Sequence, residues 1–197
     1  MRNLLFLLIF LPTITFSQVQ LHEWNDTYYN KYNYSTFQSL SVIHQIIDVN
    51  NIDYALFNAA IFYCTNLQRG RNGRNPFIHS SSLEKAAQGH SKDMVEYNFY
   101  SHTSPVKNKR FMSDRLKMEG INSAYSAENI YDNYDVKPTY WSFALSLVDG
   151  WMESAGHRNN ILDRNLTYLG CGVYYYENLK WKNYFWAKST QNFSSMP

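Results

Sequence analysis

The sequence predicts an α+β fold, with helices gathered first and strands last. Between about residues 52 and 152, apolar residues recur at helical spacing in several stretches. The last third is instead rich in Tyr, Val, Trp and Phe around a turn at Glu177-Asn178. Of the 197 residues, 45% are hydrophobic and 17% charged, with only 8 Gly and 5 Pro. That suffices for one domain core and excludes collagen, low-complexity filament and charge-driven disorder. A net charge of +2 gives no reason to expect nucleic acid as a partner. Aromatic content is the outlier. Its 17 Tyr, 12 Phe and 5 Trp exceed what one core normally uses, so part of the excess is expected at a surface.

Residues 1–17 read as a signal peptide: a basic Met1-Arg2-Asn3 start, an apolar run from Leu4 to Phe16, and small residues at Thr15 and Ser17 before cleavage ahead of Gln18. The run is too short to span a bilayer, which takes about 20 residues. No cysteine follows the cleavage site, so a lipid anchor is not expected, and no later stretch reaches membrane length. The mature protein is expected to be secreted or periplasmic, without stable membrane insertion. Residues 18–51 form a Tyr/Asn-rich extension with a short helix around Phe37–Ile47, expected to lie over the domain. Its tyrosines make a protein or glycan partner one reading, and an arm packed on its own domain the other.

The first helix follows Ile52, with Leu56, Ala59, Ala60, Tyr63, Cys64 and Leu67 as its stripe and Gly70 as C-terminal cap. The basic run Arg69 to Arg74 reads as a solvated turn. A second helix opens at the Ser80-Ser81-Ser82 caps and buries Leu83, Ala86, Ala87, His90 and Met94. Pro105 keeps the segment from Tyr100 out of helix. A third helix is expected over Arg110–Met118, a short strand over Ala127–Tyr131, and a fourth helix from Pro138 with Trp141, Ala144, Leu145, Val148, Trp151 and Met152 as its stripe. Two strands, Tyr168–Tyr176 and Lys180–Phe193, complete the chain.

Cys64 and Cys171 allow one disulfide, worth about 4–5 kcal/mol across so long a loop, or two buried free thiols. Neither has a partner at zinc-knuckle spacing. Among the histidines, His90 falls on an apolar helix face, where a hydrogen-bonded core role is expected; His22, His44 and His79 receive no role. His102 and His157 each sit past a helix in polar turn sequence, and Glu128 starts a strand between them. Two imidazoles and a carboxylate converging on one cleft would suit zinc or a similar divalent ion with open water positions.

The motifs around these residues resemble the CAP superfamily: the cysteine-rich secretory, antigen 5 and pathogenesis-related 1 proteins with an SCP-like extracellular domain, here in bacterial form. They are Leu83-x-x-Ala86-Ala87-x-x-His90-x-x-Asp93-Met94, Tyr100-Ser101-His102-Thr103, Ala127-Glu128-Asn129-Ile130, Trp151 through Leu162, and Leu169-Gly170-Cys171-Gly172-Val173. Their order and spacing match over residues 52–193, which the resemblance makes the CAP domain. It implies a three-layer α-β-α sandwich around a small central antiparallel sheet. It also implies an open cavity of His102, Glu128 and His157, with His102 and His157 as metal ligands for reversible zinc. Where animal members carry a second glutamate, three residues past the tryptophan, this chain has Ser154, whose hydroxyl is expected to line the cavity instead; Glu153, one residue early, is turned about 100° away.

The resemblance favours a non-enzymatic exported binding module whose ligand in the His/Glu cavity could be a small molecule, lipid or peptide. A zinc-assisted hydrolase using Glu128 as base, or a serine route through Ser101 or Ser104, is an alternative. A lipid or sterol carrier is another. No catalytic residue is assigned.

Overall fold

The computed structural model describes residues 24–122 and 125–197; the expected signal peptide lies outside them. Helices start where the sequence supplies oxygen acceptors for free N–H groups. Asn33 and Thr36 form a capping box for α1 (Tyr34–Phe37), and Asp53 Oδ1 accepts from Leu56 N–H to open α2 (Tyr54–Arg71). Strand β1 (Ile78–His79) precedes α3 (Ser81–Glu96), which Ser80 caps through Leu83 N–H. α4 (Met112–Met118) leads to β2 (Ser126–Asp135). α5 (Tyr140–Glu153) is opened by a Thr139–Ser142 capping box and breaks at Ser154 into α6 (Ala155–Leu162). β3 (Tyr168–Tyr176) and β4 (Phe185–Ser194) follow.

The four strands form one sheet in the order β1-β3-β4-β2. α3 lies against β3 and β4 with α4 beside it; α2, α5 and α6 cover the opposite face. This is the three-layer α-β-α arrangement. Gly170 and Gly172 of β3 set the distance of one outer layer. A Cβ on Gly170 would overlap the Leu83–Glu84 backbone, and one on Gly172 the Ala87–Gln88 backbone, so α3 lies directly on the strand. Ser91 Oγ fastens that contact by donating to Gly172 C=O (3.0 Å). On the far face Phe57, Phe143, Leu147, Trp151, Val173 and Phe193 are fully or nearly fully buried in the main core.

The structure corrects several expectations. The sheet is mixed, because β1 pairs in parallel with β3 through Ile78 and His79, while only β2–β4 and β3–β4 are antiparallel. β2 is ten residues long and continues past Tyr131, since Asp132 and Asn133 stay in register with β4. The first helix runs through Gly70 to Arg71 and is capped at Asn72; Gly70 gives room to the Tyr34 ring, whose hydroxyl would lie 3.0 Å from a Cβ there. The Arg69–Arg74 run is solvated only in its middle, where Arg71, Asn72 and Gly73 are exposed. Arg69 is buried, stacked over Phe77, and donates to the carbonyls of Asn75, Ile161 and Asp163, while Arg74 donates to Leu162 C=O. The helix expected at Phe37–Ile47 is replaced by α1 and a 3-10 turn at Ser41–His44. Both cysteines are free and buried, which decides against the disulfide.

The Tyr-rich arm packs on its own domain, one of the two readings of its sequence. Trp24 is buried, and its ring meets Tyr28, Tyr29, Phe37 and Tyr63 edge-on at 5.2–6.0 Å. Thus much of the arm is core. Exposed rings include Trp181 of the β3–β4 connection (50%) and Tyr134 near the end of β2 (52%), as well as Tyr97, Tyr100, Phe111 and Tyr125.

Candidate functional site

The site is built along β2, an outer strand of the sheet. Cross-strand partners share a face, so Glu128, opposite Asn192, points toward the α3–α4 layer. There its side chain is 3% exposed. Arg115, on α4 and equally buried, donates from Nη2 to both carboxylate oxygens at 2.9 and 2.7 Å. Through Nη1 and Nη2 the same guanidinium reaches His102 C=O (3.4 and 3.3 Å), and through Nη1 Lys109 C=O (3.0 Å), pinning the loop that carries His102. In the orientation that satisfies both its ends, the Asn192 amide also donates to Glu128 Oε2 at 3.0 Å.

His102 Nδ1 lies 2.9 Å from Glu128 Oε1, while half of its side chain stays exposed. Burial would raise the Glu128 pKa, but the His102 hydrogen bond and the Arg115 charge outweigh it and hold the carboxyl below its ordinary range. An ionised carboxylate only accepts, so Nδ1 carries a proton, and in the neutral ring the lone pair is on Nε2. A carboxylate behind an imidazole is the arrangement that orients histidine ligands for metals.

His157 arrives from α6 on the other side of β2. Asn129 Nδ2 donates to His157 C=O (3.2 Å), and Asn160 Nδ2 donates to Asn129 Oδ1 (2.8 Å), fixing that helix against the strand. Partial burial lowers the His157 pKa, and the charge of His102 lowers it further, so its imidazole stays neutral to lower pH. Glu128 and Asn129, neighbours on β2, thus hold the His102 side chain and the His157 backbone respectively. Ser154 sits at the α5–α6 break, where its N–H donates to Trp151 C=O (3.2 Å). Among the described residues no hydrogen bond joins its side chain to the other three. Glu153 is exposed.

Two supporting residues were not assigned from sequence. Arg115 gave no motif signal, because its role depends on α4 packing beside α3. Asn192 stands in a polar strand segment with no pattern pointing at Glu128. His90, expected in the core, is buried, with Nε2 3.1 Å from Ser101 C=O and 3.9 Å from Glu128 Oε1. Ser101 Oγ accepts from Thr103 N–H, and Ser104 is buried with Oγ accepting from Val106 N–H.

As to metals, among the described residues no group of three or more His, Cys, Asp or Glu side chains is arranged to hold an ion. Glu128 is occupied by Arg115 and His102. That leaves the His102 and His157 imidazoles as the candidate donors, too few for a closed structural site.

Among the described residues, no helix is long and apolar enough to cross a membrane. The chain is 34% identical over 108 residues to the uncharacterized protein YkwD of Bacillus subtilis, and 35% identical over 117 residues to the uncharacterized membrane protein YlbC of the same organism. These matches cover 55% and 58% of this chain but 38% and 31% of those proteins, so the chain spans about a third of their length. Among solved structures it resembles an extracellular protein containing an SCP domain from Bacillus anthracis. That match has a TM-score of 0.57 and 29% identity, covering 73% of this chain and 41% of that one. The family model for the cysteine-rich secretory protein family, CAP, matches residues 62–188, within which His102, Glu128 and His157 all fall. With the layered fold and the β2 cluster in place, the chain belongs to the CAP family.

Proposed function

We infer that this chain is an exported, non-enzymatic binding module whose His102–His157 cavity takes a divalent cation such as zinc reversibly. One observation carries the reading: Glu128 fixes His102 through Nδ1 and leaves the bare Nε2 at an exposed surface. His157, kept neutral by burial and by His102, would be the second ligand. Water, or a group on an incoming ligand, would complete the coordination. Glu128 is a positioning group here, since both its oxygens are engaged and it has no free lone pair directed at a substrate water. That supports binding over hydrolysis.

Ligation requires neutral imidazole, so affinity should fade as pH falls below the usual histidine range near 6.5. Titration calorimetry with zinc on the purified chain tests the proposal. The wild type should bind at pH 7.5, with binding lost in a His102→Ala/His157→Ala variant that keeps its melting temperature. Equal affinity in the two proteins overturns it. Chelator-sensitive turnover of casein or ester substrates, absent from that variant, would overturn the non-enzymatic part alone.

A further inference from the structure

Beyond the β2 cluster, the molecule carries a second constellation at the far end of the sheet. Tyr134 is the penultimate residue of β2, Trp186 lies opposite it on β4, and Trp181 and Tyr184 come from the connection between β3 and β4. Together these four rings line a cleft of about 240 Å³. Its walls meet nearly at right angles: Tyr184 stands at 86° to Tyr134 with centroids 5.3 Å apart, and at 84° to Trp181 at 6.3 Å. Trp186 lies 4.5 Å from Tyr134 at 32°. The corner is held by Trp186 Nε1, which donates to Trp181 C=O (3.4 Å), and by the Asn178 side chain, which accepts from Lys180 and Trp181 N–H.

No aliphatic side chain and no carboxylate lines this cleft. Ring faces carry the negative end of the aromatic quadrupole, so a cation seated against an open face among these rings is favoured. The molecule already shows this preference at the site's edge, where Lys180 Nζ lies 5.5 Å over the Trp181 ring. A primary ammonium holds its hydration strongly and keeps to the rim. A methylated ammonium has no N–H to solvate and an apolar surface that fits among rings. Packing does not account for exposed rings either: Trp181 and Tyr134 are each about half exposed.

We propose that Tyr134, Trp181, Tyr184 and Trp186 form an aromatic cage that binds a small soluble quaternary ammonium compound of the choline type. The proposal is independent of the cation reading at His102 and His157. No covalent step is involved. Recognition is by cation–π contact with the rings, and selectivity comes from the positive charge and not from shape alone.

The test is calorimetric and NMR titration of the full chain with choline and, in parallel, with 3,3-dimethyl-1-butanol, its uncharged isostere. Saturable choline binding at least tenfold tighter than the isostere is expected, corresponding to about 1.4 kcal/mol from charge. Trp181→Ala, at an exposed position outside the strands, should weaken choline at least tenfold without moving the melting temperature. If Trp181→Ala proves unstable, Tyr134→Leu serves instead, keeping bulk and removing a π face. His102→Ala/His157→Ala should bind choline as the wild type does. Equal affinity for the isostere would make the cleft a general apolar groove and overturn the proposal. So would absence of saturable choline binding, or binding seen only on phosphatidylcholine vesicles and never with free choline.

Discussion

His90 should make the fold acid-sensitive above the range in which carboxylates titrate. Its ring is fully buried, and burial together with Arg115 drives its pKa down from 6.5 to about 4, against opposing pulls from Glu128, the Ser101 carbonyl and Asp93. The native state therefore holds His90 neutral where the unfolded chain would protonate it. Between those two values the unfolded state binds more protons, so stability rises with pH. The contribution is fully present above about pH 6.5 and is lost as pH falls through 4. Integrating the two titrations gives a loss of about 2 kcal/mol by pH 5 and about 3 kcal/mol by pH 4. The perturbation is His90→Phe, which keeps a ring and cannot titrate. It forfeits the hydrogen bond to Ser101 C=O at every pH, an offset of about 1 kcal/mol. Urea unfolding of both proteins at pH 7, 6, 5 and 4 yields the difference in pH slope, in which the other titrating groups largely cancel. Parallel profiles for wild type and variant would refute the reasoning.

Other predictions follow from single contacts. Gly172→Ala forces a methyl into the Ala87–Gln88 backbone, where nothing flexible can yield, and should cost about 3 kcal/mol or more by chemical denaturation. Arg115→Met strands the Glu128 carboxylate in a buried place and should cost about 3–5 kcal/mol, with faster proteolysis of the 99–110 loop as a second readout. Burial pushes the Cys64 and Cys171 thiols well above their usual pKa, so a thiol reagent should label neither in the native protein and both in denaturant. Reductant should leave the melting temperature unchanged.

How much of this was legible in the sequence depends on whether a residue's role is local. Helix starts at Asp53, Ser80 and Thr139 follow short capping patterns, so α2, α3 and α5 fall near the expected places. β1 has only Ile78 and His79, too few for any period, and so the parallel edge of the sheet was missed. The Arg69 run looked solvated because charge in sequence says nothing about nearby helix-end carbonyls. Here the carbonyls of Ile161, Leu162 and Asp163, some 90 residues away in sequence, take the donors. At the site, His102, Glu128 and His157 could be found by motif. Arg115 could not, since a lone arginine on a short helix gains meaning only once α4 is placed beside α3. Within the Tyr-rich arm Trp24 and Phe37 are core, and the exposed rings are scattered over Tyr97, Tyr100, Phe111, Tyr125, Tyr134 and Trp181, a distribution that depends on packing and not on composition.

β2 lies at an edge of the sheet, and a ten-residue edge with free backbone groups is a template for another chain. At its midpoint the template is blocked. Ile130 C=O accepts from Trp151 Nε1 (3.1 Å) on one side and from the Tyr100 hydroxyl (3.2 Å) on the other. The loop that carries His102 and the helices that lead to His157 thus guard the strand against edge-to-edge aggregation. Variants that loosen either support should show self-association at high concentration before they show unfolding.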